Sequence, residues 1–157
     1  MCVEFKDNSG EVKAALNKAV KQLLHEASAT VKSQAMQNTA VDSSDTKGSW
    51  DYTVDAAKGE AKIGSPLQNA VWEEFGTGDY ALEKGRSTPW YVPVDGYTGK
   101  KKPSYNGKVV IVYGKNGRRF YKTNGKKPRR TLHNAFHVKK AAIIKRAEQI
   151  IKSEMEK

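Results

Sequence analysis

With 157 residues, 38% of them hydrophobic and 29% charged, the chain has the length of one domain and can close a core without disulfide or metal. Its longest apolar runs are four or five residues, which excludes a membrane-crossing helix of about 20. The net charge of +11 is uneven, with 10 basic and 14 acidic side chains in residues 1–99 but 18 and 3 in residues 100–157.

The first ten residues, MCVEFKDNSG, hold no basic start followed by an apolar stretch, so no secretory signal is expected. Cys2 is the single cysteine and has no partner for an internal disulfide, which fits a reducing cytosol. It also leaves zinc-ribbon readings without thiols. From Val12 to Ala35 the apolar positions Val12, Leu16, Val20, Leu23, Ala27, Val31 and Ala35 recur at steps of three and four, predicting a long amphipathic helix. Asn8 is its expected N-cap, with Glu11 completing a capping-box-like pair. The pattern ends at Asn38 and Thr39, and VDSSDTKGS reads as a polar loop.

Ser49–Asp55 alternates, with Trp50, Tyr52 and Val54 on one face, as a strand does. Ala61–Gly64 is a second strand after a turn at Lys58-Gly59. Ser65 and Pro66 open a short helix through Phe75, and Gly76 closes it. Residues 76–107 are rich in glycine and proline and read as a long loop, with Trp90, Tyr91 and Tyr97 docking part of it. Lys108–Tyr113 and Arg118–Lys122 flank Asn116-Gly117, a hairpin signal. A second long helix follows from Thr131, its expected N-cap, to Met155, with Leu132, Phe136, Ile143, Ala147, Ile150 and Ile151 as its apolar face. The expected fold is α+β: one antiparallel sheet of about four strands covered by two long helices.

No catalytic set emerges. His133 and His137 share a helical face but have no third ligand nearby in sequence, and the surrounding lysines and arginines repel a cation. Glu73 and Glu74 point about 100° apart on a helix, a poor arrangement for shared acid–base work. Gly76-Thr77-Gly78 follows a helix rather than preceding one, so it is no phosphate cradle. No metal or cofactor is expected.

Glu73 and Glu74 nevertheless sit in the last turn of their helix, where the helix dipole disfavours negative charge. A cationic partner for Glu74 is therefore expected among Lys126, Lys127, Arg129 and Arg130, with Phe75 anchoring the turn in the core and Gly76, Thr77 and Gly78 shaping it. The segment Lys126, Lys127, Arg129 and Arg130, with the hairpin tip at Arg118 and Arg119, reads as a contact surface for DNA phosphates or an acidic partner, or as a solvated basic face.

The order of these features resembles the minor tail or neck protein family of long-tailed bacteriophages: a long first helix, a short strand ending at Gly64, VWEEFGTG, and then TNGKKPRRTLHNAF leading into the last helix. The strongest likeness lies in EFGTG and in the spacing of Gly125, Pro128, Leu132 and Ala135. It covers roughly residues 8–80 and 120–155. Arg130-Thr131 stands where the family usually has an aromatic, and the excursion from Tyr80 to Gly107 is long and basic. The resemblance implies a non-enzymatic virion protein that takes part in head–tail joining or tail completion. It also implies assembly as a homo-oligomeric ring with other neck and tail proteins, with its basic third near DNA or acidic neighbours. The competing expectation is a small nucleic-acid-binding protein.

Overall fold

The computed structural model describes residues 7–40, 44–83, 85–87, 89–99 and 101–156; Cys2 lies outside them. The fold is α+β, as expected: two long helices packed together, small antiparallel sheets and a short helix.

Helix α1 spans Ser9–Asn38 and helix α4 spans Thr131–Met155. They run antiparallel, bridged by Lys18–Glu154 and Glu26–Arg146, with Asn38 Nδ2 donating to Thr131 O at the other end. The seam holds small residues: Ala19, Val31 and Ala35 of α1 and Ala135 of α4 are buried, with Ile150. Alanines at a crossing let the backbones approach closely, so the neighbouring larger side chains close over them. Val12 and Leu16, expected on the buried face, are exposed. Because Lys18 already meets Glu154, the first turns of α1 run past the end of α4, and among the described residues no helix covers them. Phe136 and Ile151 likewise lie exposed on the flank of α4, while Leu132 and Ile143 pack into the core.

The caps differ from those the sequence suggests. Asn8 makes no side-chain cap bond; Asp7 Oδ1 instead accepts from the Ser9 N–H at 2.9 Å. At the far end, Thr39 donates both its N–H and its hydroxyl to Ala35 O, and its Oγ1 accepts from the Trp50 indole at 2.8 Å. That chain of bonds satisfies the buried Trp50 nitrogen and fixes the chain's exit from the helix.

The polar loop contains a short helix, α2, at Ser44–Gly48. Strands β1 (Asp51–Asp55) and β2 (Glu60–Gly64) form an antiparallel ribbon with Asp51 opposite Gly64, and this ribbon packs on α1. Helix α3 runs Gln68–Phe75, two residues later than Pro66 suggested, and Ser65 Oγ accepts from the Leu67 N–H just before it.

The supposed loop is only partly irregular. It contains a 3₁₀ turn at Gly78–Tyr80 and a strand, β3, at Trp90–Pro93. With β4 (Val110–Tyr113) and β5 (Arg119–Thr123), β3 forms a second antiparallel sheet in the order β3-β5-β4. The strands among the described residues therefore number five, in a two-stranded ribbon and a three-stranded sheet, where about four in one sheet are expected. Among the described residues α1 alone of the two long helices packs substantially on the β1–β2 ribbon, rather than both covering one sheet, while the strands of the second sheet contact chiefly one another.

Candidate functional site

The two segments that stand out in the sequence, 73–79 and 124–133, lie against each other. Thr77 N–H donates to Lys126 O at 2.9 Å and Lys126 N–H returns to Thr77 Oγ1 at 2.9 Å. Asp79 N–H donates to Asn124 O at 2.9 Å. The buried Asn124 side chain donates to Asp79 Oδ2 and Asn106 Oδ1, while its Oδ1 accepts from the Asn106 N–H. The result is a clasp that ties the exit of α3 to the strand end of β5.

Glycine makes this approach possible. Gly78 (φ +63) lies against Asn124 O and the Trp90 indole, and Gly125 (φ +125) lies against Thr77 O. A Cβ at either position would collide with backbone, and both conformations are costly for any other residue.

The two acids divide the work differently from the sequence expectation. Glu73, not Glu74, takes the cations: its buried carboxylate contacts Lys126 Nζ and lies 3.5 Å from Arg129 Nε. Its backbone carbonyl also accepts from the Arg129 N–H at 2.7 Å and the Arg130 N–H at 3.2 Å. Glu74 caps α4 from outside: Oε2 accepts from the Leu132 N–H at 2.7 Å and Oε1 from the His133 N–H at 3.0 Å. A carboxylate on the first free amides of a 25-residue helix is placed where the dipole favours it. The unfavourable site at the end of α3 thus becomes a favourable one at the start of α4.

This explains why Thr131 is not the N-cap. Arg130 holds the cap position in a left-handed conformation (φ 54, ψ 46), and Thr131 is the first helical residue. The Thr131 hydroxyl is buried without a hydrogen-bond partner among the described residues. Phe75 does not anchor the turn in the core; it is 47% exposed beside Gly76, whose φ of +74 ends α3.

Arg130 Nη2 lies 3.0 Å from His133 Nδ1, and the His133 and His137 rings lie 4.2 Å apart. Partial burial, then the charges of Arg130 and His137, pushes the His133 imidazole below its ordinary range against a smaller upward pull from Glu74. Arg118 and Arg119 sit at the other end of β5 from the clasp, with Arg119 paired to Asp95 at 3.3 Å. The basic residues therefore do not form one surface.

Between the helical body and the second sheet runs a groove of about 960 Å³, with the clasp along one side. Lys101, Lys102, Lys126, Lys127 and Arg129 line it, together with Trp72, Tyr80, Trp90 and Tyr97. The last three cations are legible in the sequence as one basic segment, whereas Lys101 and Lys102 are not legible there as their companions. Only the fold of residues 90–99 and 101–107 onto β5 brings these together.

Compared with family models, curated proteins and solved structures, the chain matches none. Among the described residues no helix is long and apolar enough to cross a membrane, and no three His, Cys, Asp or Glu side chains stand together as metal ligands.

Proposed function

We propose that this chain is a non-enzymatic virion structural protein of a long-tailed bacteriophage, acting in head–tail joining or tail completion. It assembles in the host cytoplasm with other neck and tail proteins, as part of a ring around the DNA channel. The observation that supports this reading is the clasp. VWEEFGTG and TNGKKPRRTLHNAF, the two segments that carry the resemblance, lie some fifty residues apart in sequence yet bond to each other through Glu73, Glu74, Thr77 and Lys126. The two motifs are, in this reading, the two halves of one contact.

In this reading the clasp sets the angle at which the second sheet leaves the helical body, and that angle sets which surfaces meet a neighbouring subunit. The exposed cations Lys127 and Arg130 and the hairpin tip at Arg118 then face acidic neighbours or DNA.

The test is native mass by light scattering at low and high salt, with and without short duplex DNA. A discrete oligomer well above a dimer, indifferent to the duplex, is expected. Tight duplex binding by a monomer or dimer, lost between about 50 and 200 mM salt, would instead establish a nucleic-acid-binding module.

A further inference from the structure

We propose that the groove between the helical body and the second sheet is a docking site for an extended acidic peptide segment of a partner protein. This rests on the groove itself and not on the neck reading.

Charge comes first. Among the described residues five cationic side chains line the groove, and the one lining carboxylate, Glu73, is already engaged by Lys126 and Arg129. Lys101 and Lys102 are exposed and form no ion pair among the described residues. Lining of this kind attracts carboxylates or phosphates.

The aromatic residues decide between those two. A nucleic-acid strand needs open ring faces on which bases stack. Here Lys127 Nζ already lies over the Tyr80 ring at 5.6 Å, and Arg86 lies over the Trp90 ring at 5.9 Å. The rim of the Trp90 indole packs on Gly78. Tyr97 meets Tyr121 edge-on and donates its hydroxyl to Lys101 O at 2.6 Å. Tyr80, Trp90 and Tyr97 are thus each already engaged, and their remaining apolar surface, with that of Trp72 (46% exposed), suits aliphatic side chains between carboxylates.

The groove's volume lies at the top of the range of about 300–1,000 Å³ typical of small-ligand pockets, so it has room for a chain segment. Asn69 and Ser104 in its lining add side-chain donors and acceptors for a peptide backbone. Strand β3 is an edge of its sheet, but Pro93 removes a donor from it, so recognition falls on side chains rather than on strand addition.

The test uses the full chain and a fluorescein-labelled heptapeptide of alternating Glu and Leu, read by anisotropy. The comparison probes are the same peptide with Gln for Glu and a labelled oligothymidylate. The Glu–Leu peptide is expected to bind at least tenfold more tightly than either. K101Q/K102Q, two exposed loop positions, should weaken it about tenfold with unchanged melting. K140Q/K145Q, which removes equal charge from α4 outside the groove, should leave it unchanged. The proposal is overturned by absent peptide binding, by equal binding of the Gln peptide, by tighter oligothymidylate binding, or by equal losses in the two double variants.

Discussion

Between α1 and α4 the buried residues are mostly small and apolar, among them Ala19, Val31, Ala35, Ala135 and Ile150. Where the second sheet joins that body, the buried residues include Glu73, Thr123 and Asn124, and backbone packs directly on Gly78 and Gly125. Apolar burial is non-directional and tolerates a modest shift of one helix along the other. Hydrogen bonds and glycine contacts are directional, and a buried polar group that loses its partner costs about 1–3 kcal/mol. The helical seam therefore supplies stability, while the clasp supplies orientation.

Substitutions can break this contrast from either side. The largest effect is expected from Gly125→Ala, which forces a Cβ onto Thr77 O at a backbone angle that L residues avoid. A loss of about 2–5 kcal/mol in urea unfolding is expected. On the other side, Ala35→Leu overfills the α1–α4 seam and should cost about 1–3 kcal/mol while leaving the amide signals of residues 124–126 in place.

Two single acids sharpen the division of labour. Glu74→Ala uncaps α4 and should cost about 1–2 kcal/mol, with faster amide exchange at Leu132 and His133. Glu73→Gln should cost about 1 kcal/mol and release Lys126, leaving those two amides protected. Equal effects of both variants on the amides of α4 would merge roles that the geometry separates.

The smallest effect concerns the body alone. Arg146, helped by Gln22, holds the Glu26 carboxyl down to about 2 from 4.5. A depressed carboxylate contributes stability that is fully present above its unfolded value and is lost as pH falls through its folded one. Thermal melting of Glu26→Gln should therefore match the parent more closely at pH 2 than at pH 5, and added salt should narrow the difference.

The sequence carried the helices well because their periodicity is long. Val12–Ala35 and Thr131–Met155 each lie within the observed helix. Strand β3 was hidden because Trp90–Pro93 is only four residues flanked by prolines and glycines, and its pairing partner β5 lies some thirty residues downstream. The site was half readable. The helix dipole points to an acid–base contact between 73–74 and 126–130, but on a helix of eight residues two adjacent carboxylates have no periodicity to tell which faces which partner. Phe75 was misplaced for a related reason: the turn is anchored by glycine backbone and by Asn124, which periodicity does not register.

The most direct test of the clasp is hydrogen exchange on the full chain, resolved at Thr77, Asp79, Lys126, Leu132 and His133. The account predicts slow exchange at all five in the parent. It also predicts joint loss of protection at Thr77, Asp79 and Lys126 in Gly125→Ala, while Val31 and Ala35 remain protected. Exchange of Thr77 and Lys126 at the rate of an open loop in the parent would contradict it.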